Sequence, residues 1–532
     1  MKLTFTLIIL CFSLELMAQK AGTLDNSFGD SGIVTTTFDS ASGEARAVVI
    51  SPGSYIIVAG NEYVGLPSRQ CFSIVKYRPD GVPDSTFGKI GKVKSYFSKI
   101  FAYTYCAALQ PDGKILVGGS MSSDMAGYGN YFVLIRYLKN GTPDSSFGHS
   151  GLDTTILKHN IGGEFHAVFI QSDGKIVGVG KSADENYIAI RYLPDGKLDS
   201  SYGINGVANA DFRNDYCVGG ALQPDGKIIA GGYTYDYRSG KQELMIVRFT
   251  SAGKTDSSFG RNGMVITDLG LAGIKCNAMA LQADGKIILE GTYFKGGNNI
   301  VLTRFNNDGQ PDKTFGTNGK QLNVYKNFPW GNAMALQADG KIVVAGYVYF
   351  QPVNKIFFGL ARYQQNGDVD SSFGFNGGVQ TIYAKGGEAY AVAIQQDGKI
   401  VAAGKIYRGV QSIEEYGTIR YNNGKSTLKQ VIVKHYIPDD AQATTLSNIS
   451  IYPNPAQNVL HVEGLSLSQN LPADRQGTKL TVVDFNGNIA MSYELSPMNS
   501  SCNLNIASLH AGNYLLKIET NGEVVTKQFV KE

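Results

Sequence analysis

The sequence predicts an all-β protein: a seven-bladed β-propeller of four-stranded antiparallel blades, followed by a small C-terminal β-sandwich. Three observations predict this fold. Three short signatures recur seven times, in a fixed order, between residues 22 and 436. The 64 Gly, 30 Tyr and 26 Phe, against one Trp, are typical of a chain with many tight turns and aromatic strands. After residue 449 the repeat gives way to short alternating strands separated by Asn-Gly turns.

The first signature is Asp-Ser-Ser-Phe-Gly-x-x-Gly or a near variant. Its copies lie 55 to 60 residues apart, a period that suits a blade better than the shorter coils of a linear β-solenoid, which is the main alternative. We interpret the motif as structural: the aspartate caps a turn, the phenylalanine fills the core between sheets and the glycine takes a positive φ. Two representative copies contain Asp84 with Phe87 and Asp144 with Phe147.

The second signature is Gln-Pro-Asp-Gly-Lys-Ile followed by apolar residues and glycine. Its Asp-Gly pair, Asp112-Gly113 in one copy, lies between two apolar runs and predicts a hairpin. The third signature is an apolar strand that ends in Arg-Tyr or Arg-Phe. Because this arginine recurs in nearly every repeat, we predict that it pairs with a repeated partner, Asp144 in the case of Arg136, and does not bind a ligand.

In the first copy these signatures predict four strands of one sheet, at residues 32–38, 45–51, 55–60 and 72–78. Such a sheet is apolar on both faces and needs a neighbour on each side, which favours a ring of seven sheets. A further strand-like stretch at 427–436 is predicted to close the ring by pairing with the first blade.

The N-terminal residues 1–18 are predicted to be a signal peptide, with basic Lys2, an apolar centre and small Ala18 at the cleavage point. A transmembrane anchor is an alternative, but the stretch is shorter than the ~20 residues a bilayer requires and Glu15 interrupts it. Lipoprotein processing at Cys11 is a second alternative. We expect no transmembrane segment after signal removal.

Charge and cysteine content exclude several classes of protein. With 48 basic and 45 acidic residues, the net charge is +3 and no basic cluster indicates a nucleic-acid partner. The five cysteines after residue 18 contain no close pair, so we expect neither a disulfide framework nor a zinc site. A Cys217–Cys276 bridge remains an open alternative. The six histidines lack metal-ligand spacing.

The repeated Asp-Ser-Ser-Phe-Gly and Pro-Asp-Gly-Lys-Ile motifs, at this spacing, resemble the delta-60 repeat family of bacterial exported proteins. The resemblance covers residues 24–421. It implies a repeat architecture and export, and it implies no defined activity.

Residues 437–448 form a polar predicted linker, and residues 449–532 form a second predicted domain. Its motifs resemble the type A C-terminal sorting domain of the type IX secretion system. The residues that carry this resemblance include Pro453, Asn454, Pro455, Gly512, Tyr514 and Lys531. The resemblance implies that residues 449–532 engage the type IX secretion machinery of a Bacteroidetes-type bacterium. It also implies a secreted protein or one held at the outer-membrane cell surface.

The sequence contains no recognisable catalytic constellation, so we expect a non-catalytic binding scaffold without a cofactor. Calcium bound by the Asp and Ser oxygens of the first signature is the alternative for a metal. The predicted partner is an unknown extracellular protein or glycan, bound by aromatic residues in variable loops on one face of the propeller. These residues are Tyr63, Tyr128, Tyr235, Tyr237, Tyr293, Phe294, Trp330, Tyr349 and Tyr407.

Three other interpretations remain open. The aromatic residues could simply cover the edges of the blades. A glycan-active hydrolase or lyase would need paired carboxylates in the propeller funnel, for which Asp211, Asp215, Glu388 and Glu414 are available. A purely structural envelope protein would bind no ligand at all.

Overall fold

The computed structural model describes 21 segments of the chain. They are 20–38, 42–64, 69–96, 101–122, 131–157, 161–211, 215–236, 240–271, 273–294, 298–323, 330–350, 354–383, 386–408, 413–424, 450–452, 456–463, 478–484, 489–495, 501–509, 512–520 and 523–531. The predicted signal peptide, the linker and the stretch 427–436 lie outside the described residues. So do Tyr128, Tyr237, Pro453, Asn454 and Pro455.

The described residues before 425 form 28 strands and one short 3₁₀ turn, Pro52–Ser54. The strands are β1 Ile33–Thr36, β2 Gly43–Ser51, β3 Tyr55–Val64, β4 Arg69–Tyr77, β5 Lys92–Ser95, β6 Phe101–Leu109, β7 Ile115–Ser122, β8 Tyr131–Tyr137, β9 Leu152–Thr155, β10 Gly163–Ile170, β11 Ile176–Ser182, β12 Tyr187–Tyr192, β13 Val207–Ala210, β14 Asp215–Leu222, β15 Ile228–Asp236, β16 Lys241–Phe249, β17 Met264–Thr267, β18 Lys275–Leu281, β19 Ile287–Phe294, β20 Asn298–Phe305, β21 Lys320–Asn323, β22 Trp330–Leu336, β23 Ile342–Phe350, β24 Lys355–Tyr363, β25 Gly378–Thr381, β26 Gly387–Ile394, β27 Ile400–Arg408 and β28 Ile413–Tyr421.

These strands build seven four-stranded antiparallel sheets, as predicted. Blades one to six are β2–β5, β6–β9, β10–β13, β14–β17, β18–β21 and β22–β25, and blade seven consists of β26, β27, β28 and β1. The first strand of each blade is innermost. Each inner strand contacts the inner strands of both neighbouring blades, and β2 contacts β26, so the seven blades form a closed ring.

The antiparallel order gives the propeller two distinct faces. The hairpins between first and second strands and the Asp-Ser-Ser-Phe-Gly turns lie on one face, called here the hairpin face. The connections between second and third strands and between blades lie on the other, called the variable face. The inner strands therefore begin at the variable face and end at the hairpin face.

The blades are offset by one strand from the predicted repeat unit. The first predicted strand belongs to blade seven, where β1 pairs with β28 through Ile33↔Ile419 and Thr36↔Tyr416. Blade one instead takes β5 as its outer strand. The prediction was wrong here because each Asp-Ser-Ser-Phe-Gly turn connects the third and fourth strands of one blade and does not connect two sheets.

The N-terminal segment closes the ring. β1 supplies the fourth strand of blade seven, Asp25 pairs with Arg420 at 2.7 Å, and the amide of Gly374 donates to the carbonyl of Ala21 at 2.8 Å. The same amide-to-carbonyl bond joins consecutive blades elsewhere, as from Gly88 to Asn140. The fourth strand of blade seven is thus at the N-terminal end of the propeller, and the predicted strand at 427–436 lies outside the described residues.

Aromatic residues of the repeat fill the spaces between blades. The first-signature aromatics are almost fully buried: Phe28, Phe87, Phe147, Tyr202, Phe259, Phe315 and Phe373. The third-signature tyrosines are also buried, and their hydroxyls bond the outer strand of the preceding blade, as from Tyr77 to Thr36 at 2.6 Å and from Tyr137 to Ser95 at 2.6 Å. Burial of these rings ties each blade to its neighbour.

One turn of blade one is strained. Ile90 has φ 52° and is 70% exposed, whereas blades three to six have asparagine at the same turn position with a similar φ. A β-branched residue is disfavoured in this left-handed conformation and asparagine tolerates it. We expect Ile90→Asn to raise the free energy of unfolding by about 1 kcal/mol, measured by chemical denaturation. The reverse change at the matched position, Asn262→Ile, should lower it; equal stabilities for all three proteins would contradict the strain.

The C-terminal part forms a small β-sandwich, as predicted. Its strands are β29 Ser450–Tyr452, β30 Val459–Glu463, β31 Thr478–Asp484, β32 Ile489–Leu495, β33 Ser501–Asn505, β34 Gly512–Thr520 and β35 Glu523–Lys531. One sheet has the order β29-β30-β33 and the other β32-β31-β34-β35, and both contribute to one apolar core.

Three residues that carry the sorting-domain resemblance lie on adjacent strands of the sandwich. Gly512 on β34 is opposite Lys531 on β35, and Tyr514 stacks on Phe529 with ring centroids 5.6 Å apart. Tyr514 and Lys531 are both buried. The end of the chain is therefore an integral part of the second sheet.

The cysteines of the propeller are not paired. Cys71, Cys106, Cys217 and Cys276 are buried free thiols, so the Cys217–Cys276 bridge is not formed.

In the described part of the chain, no helix has the length and hydrophobicity that crossing a lipid bilayer requires.

Candidate binding site at the mouth of the central channel

Every inner strand of the propeller carries a β-bulge at the same position, near its variable-face end. A bulge leaves one residue outside the ladder and re-aims its side chain. The inner strands surround the central channel of the propeller. The seven bulges therefore form a ring near the end of this channel on the variable face. The bulge residues are Arg46, Tyr105, His166, Val218, Asn277, Asn332 and Tyr390.

A second ring lies nearer the variable face. It consists of the residue two positions before each bulge and its partner on the second strand. In blade order these pairs are Glu44/Asn61, Tyr103/Ser120, Glu164/Lys181, Tyr216/Tyr233, Lys275/Thr292, Trp330/Tyr347 and Glu388/Lys405. We call the two rings together the channel mouth.

Blades seven, one, two and three form the charged half of the mouth. Three glutamates each bond the bulge residue of their own strand: Arg46 donates to Glu44 at 2.6 Å, Tyr390 donates to Glu388 at 2.5 Å, and His166 lies 3.1 Å from Glu164. Contacts also cross between blades. The guanidinium of Arg46 lies 4.0 Å from the ring centre of Tyr390, and the rings of Tyr105 and His166 are 4.8 Å apart.

The electrostatics of this half keep Glu164 ionised. Burial would raise the pKa of Glu164, but the hydrogen bond from His166 and the charges of His166 and Lys181 outweigh it and lower the pKa to about 2. Burial, together with the neighbouring Glu388, raises the pKa of the Tyr390 phenol. Burial would lower the pKa of Lys405, but its hydrogen bond to Glu414 and the adjacent Tyr390 and Glu388 raise it.

Blades four to six form the neutral half of the mouth, in which Lys275 is the one charged residue of the two rings. Tyr216 and Tyr233 stack with centroids 4.8 Å apart and planes 9° apart, and Trp330 and Tyr347 stack at 6.3 Å and 9°. These aromatic side chains are half-buried. Part of each ring is therefore open to solvent while the strands hold the rings in place, and Tyr233 also packs against the core between blades four and five.

Two amides complete the neutral half. The Nδ2 of Asn277 donates to Thr292 Oγ1 at 2.9 Å, and the Nδ2 of Asn332 donates across the blade boundary to the carbonyl of Ala389 at 2.8 Å. Both asparagines are half-buried. The protein thus fixes the orientation of each amide and leaves its carbonyl oxygen as an acceptor.

A buried carboxyl group lies directly behind this half. Glu290 on β19 is 0% exposed, and its two oxygens have no hydrogen-bond partner among the described residues. Burial raises its pKa to about 8, although the nearby side-chain amide of Asn277, whose geometry falls short of a hydrogen bond, lowers it in part. Gly331 makes room for the group, since a Cβ there would lie 2.4 Å from Glu290 Oε1. The other six blades have Ala, Gly or Val at the position of Glu290: Ala59, Gly118, Val179, Gly231, Ala345 and Ala403.

The structure distributes the predicted aromatic binding residues widely. Trp330 and Tyr407 lie at or beside the mouth, with Lys405 5.4 Å from the Tyr407 ring centre. Tyr293 is 2% exposed in the core between blades four and five, so it cannot contact a ligand. Phe294 and Tyr349 are exposed at strand ends.

Tyr63 and Tyr235 are half-buried on second strands. Each of the described aromatic candidates lies on a strand and not in a loop, because the hairpin ladders continue past the glycine that ends the second signature. The predicted loop positions were therefore wrong.

Of the four carboxylates considered for an enzyme, Glu388 and Glu414 lie close together and Asp211 and Asp215 lie elsewhere. Asp211 is exposed after β13, and Asp215 is fully buried at the start of β14. Glu388 and Glu414 both pair with Lys405, at 3.1 and 2.9 Å. Because Lys405 carries a single positive charge, it compensates one of these two carboxylate charges.

The hairpin face carries the repeated polar cluster of the first and third signatures. Arg136 Nε donates to Asp144 Oδ2 at 2.7 Å, as the sequence predicted, and the guanidinium lies 4.5 Å from the Phe147 ring centre. Arg136 also bonds the carbonyl of Pro194 in the next blade. Six blades have this arginine pair, and blade one has a lysine in its place, Lys76, 2.8 Å from Asp84.

This cluster neutralises the aspartates that a calcium ion would need. Asp144 Oδ1 accepts from the amide and hydroxyl of Ser146, while Oδ2 faces Arg136 and, at 3.3 Å, Lys114 of the Asp112-Gly113 hairpin. Burial would raise the pKa of Asp144, but these partners lower it to about 2. Both carboxylate oxygens are therefore engaged by protein donors.

The bulge residues were missed in the sequence, although a signal for them was present. Each lies five residues before the Gln of the second signature, or its Ser51 equivalent in blade one. Alignment of the seven repeats on that Gln shows a column of Arg, Tyr, His, Val, Asn, Asn and Tyr, followed by a column that contains only the small residues Ala, Cys and Gly. A variable column inside a repeat indicates a function separate from the architecture.

Comparison with known families agrees with this architecture. The model of the secretion system C-terminal sorting domain matches residues 450–532. The β-propeller domain of unknown function DUF5122 matches six segments, 56–87, 110–147, 171–202, 223–259, 282–315 and 337–373. None of the curated proteins matches the chain significantly.

Several solved structures are similar in part. A catalytically inactive virginiamycin B lyase from Staphylococcus aureus, with quinupristin, is 12% identical, with a TM-score of 0.44 over 75% of this chain and 99% of that one. The propeller domain of the trilobed protease from Pyrococcus furiosus is 10% identical, with a TM-score of 0.38 over 76% and 100%. A GH43 endo-arabinanase from Bacillus licheniformis is 12% identical, with a TM-score of 0.26 over 49% and 95%.

The six repeat matches fall in blades one to six, and the tail match coincides with the C-terminal sandwich. A sorting domain of this kind implies export by the type IX system. The chain is therefore a β-propeller protein, with repeats similar to DUF5122, that carries a type IX secretion sorting domain.

Proposed function

We propose that this protein is a non-catalytic binding scaffold, secreted or held at the cell surface, that takes a protein or glycan ligand at the channel mouth. One observation carries the proposal. Seven equivalent bulges present seven side chains of mostly different chemistry to one opening, while the hairpin face repeats the same polar cluster from blade to blade. Variation confined to a common opening on a rigid scaffold is typical of recognition.

The state of the carboxylates supports binding over catalysis. A general acid needs a raised pKa and access to the substrate. At the mouth, Glu164 has a lowered pKa and Glu388 is tied to Lys405. Glu290 has a raised pKa but is fully buried behind the strand. Glu164 therefore lacks the raised pKa of a catalytic acid, and Glu290 lacks the access to substrate.

The C-terminal domain supports the proposed location. Type IX export would bring the propeller to the outside of the outer membrane, where the channel mouth is free to meet extracellular material. In this proposal residues 449–532 engage the secretion machinery, and the propeller performs the binding.

The proposal is tested by probing glycan and protein arrays with the purified full chain. The test variant combines Arg46→Ala with Trp330→Ala, one change in each half of the mouth. The matched control is Phe294→Ala, an aromatic that is 62% exposed at a strand end. We expect reproducible ligands that the control retains and the mouth variant loses, with circular dichroism showing that both are folded.

Three results would contradict the proposal. Turnover of a glycan would favour the enzyme interpretation. Loss of binding in Phe294→Ala, with binding kept in the mouth variant, would place the site at the strand ends. Failure to bind any member of either array would favour a structural envelope protein.

A further inference from the structure

The two halves of the channel mouth expose different aromatic surfaces. In the charged half, protein cations already lie over the rings: Arg46 is 4.0 Å and Lys405 5.7 Å from the centre of Tyr390. At the boundary between the halves, Lys181 lies 5.0 Å from the centre of Tyr216. Among the described residues, no such cation lies over Trp330 or Tyr347. Their stacked rings therefore form an aromatic surface that no protein cation covers.

The amides beside Trp330 and Tyr347 are polar and uncharged. The nearby charge is the carboxylate of Glu388 in blade seven, and burial together with this carboxylate raises the pKa of the Tyr347 phenol. Asn332 follows on the same strand and Asn277 is on the inner strand of the neighbouring blade, and the protein holds the Nδ2 of each. The carbonyl oxygens of both amides are left to accept from hydroxyl groups. Lys275, the charged side chain of this half, is exposed to solvent and is not part of the enclosed surface.

The buried carboxyl group behind Trp330 adds no charge to this part of the mouth. Glu290 contacts the backbone at Gly331, and its raised pKa of about 8 keeps it protonated at neutral pH. No negative charge therefore lies beneath the aromatic pair. The neutral half combines a flat apolar surface with oriented amide acceptors.

This combination matches the surface of a pyranose. The C–H face of a sugar ring packs against an aromatic ring, while its equatorial hydroxyls donate to fixed acceptors at the edge. We propose that the neutral half of the mouth binds an uncharged sugar unit of an oligosaccharide, which stacks on Trp330 and Tyr347 and donates to Asn277 and Asn332. This inference rests on the proposed function and names its ligand class.

The single tryptophan makes the proposal directly testable, because Trp330 is the one Trp in the sequence. The full chain is titrated with cellohexaose, xylohexaose, mannohexaose and the acidic hexagalacturonate, and the emission of Trp330 is recorded. We expect at least one neutral hexasaccharide to shift the emission saturably. Hexagalacturonate should leave it unchanged.

Variants measured by isothermal titration calorimetry locate the site. Trp330→Ala should weaken binding of that neutral sugar at least tenfold, and Asn332→Ala should weaken it severalfold. The control Phe294→Ala, which lies outside the mouth, should keep the affinity within about twofold. Loss of binding in Trp330→Ala and retention in Phe294→Ala together support the proposal.

The other outcomes distinguish failure of the proposed sugar site from failure of the proposed binding function. Binding of hexagalacturonate or of an array protein, lost in Arg46→Ala and kept in Trp330→Ala, would overturn the inference while the mouth remained a binding site. Saturable binding of a neutral sugar unaffected by Trp330→Ala would also overturn it. Absence of any ligand in titration and on the arrays would overturn both.

Discussion

Replacing Arg420 with alanine is expected to lower the free energy of unfolding of the propeller by about 3–5 kcal/mol. Arg420 is 3% exposed, and its Nε donates to Asp25 at 2.7 Å across 395 residues of sequence. The guanidinium also bonds the carbonyl of Pro79 in blade one. Without Arg420, Asp25 is left buried with less compensation for its charge, and the contact that joins the two ends of the ring is lost.

The measurement is chemical denaturation with hydrogen exchange on β1. In Arg420→Ala, the amides of Ile33–Thr36 should lose protection, because the closing strand opens first. The matched variant Arg136→Ala breaks the same pair within blade two, so it should cost a similar free energy while β1 stays protected. Arg78→Ala, which removes an ion pair that is about half exposed, should cost less than about 1 kcal/mol.

Two results would contradict this account of ring closure. Protected β1 amides in Arg420→Ala would show that the arginine does not hold the closing strand. A larger loss of stability from deletion of 427–436 than from Arg420→Ala would show that the predicted C-terminal strand, and not the N-terminal one, completes the ring.

The second large effect is expected at Glu290, whose pKa is raised to about 8 by burial. In the unfolded chain this carboxyl ionises near pH 4.5, so between about pH 5 and 8 the folded state binds one more proton than the unfolded state. The contribution of Glu290 to the free energy of unfolding is therefore fully present below pH 4.5 and is lost as the pH rises toward 8. The expected loss is roughly 1.4 kcal/mol per pH unit across that window.

Glu290→Gln is the matched variant because it keeps the shape of the side chain and removes its titration. Its free energy of unfolding should equal that of the wild type, or fall slightly below it, near pH 5 and exceed it at pH 8. Denaturation curves at pH 5, 6, 7 and 8 measure this difference. Parallel pH profiles for the two proteins would contradict the buried, protonated carboxyl.

Gly331 gives an independent check on the same contact. A Cβ at this position would meet Glu290 Oε1 at 2.4 Å and Val344 Cγ1 at 2.8 Å, so Gly331→Ala should destabilise by about 1–3 kcal/mol. In the double variant with Glu290→Ala, which places alanine where blades six and seven have Ala345 and Ala403, most of that cost should disappear. A double-mutant cycle measures the coupling, and additive costs would contradict the contact.

Much of the fold could be predicted because its signals are local. The Asp-Gly hairpin at Asp112-Gly113 and the Asp144 to Phe147 turn each depend on a few neighbouring residues whose backbone preferences are strong. The pairing of Arg136 with Asp144 was predictable for the same reason, since only eight residues separate them. The number of repeats then gave the number of blades.

The candidate site was predicted less well because it depends on geometry across blades. Trp330 was found among the aromatic residues, but it was placed in a loop together with Tyr293, which is buried. Arg46, Tyr105, His166 and Tyr390 were not found, because sequence spacing alone does not show which residue of an inner strand bulges into the channel. The sequence shows which residues are aromatic. Only the packing of the folded chain shows which of them are exposed to solvent.

The sequence by itself therefore determined the strands, the turns, the sevenfold count and the sorting domain, since each is encoded within a short stretch of chain. The tertiary structure decided that β1 belongs to blade seven, that seven bulges meet at one mouth, and that Glu290 lies buried against Gly331. These features join residues from different blades, in one case 395 positions apart. Hydrogen bonds and packing between distant segments, which no local preference specifies, select among the arrangements that the repeats allow.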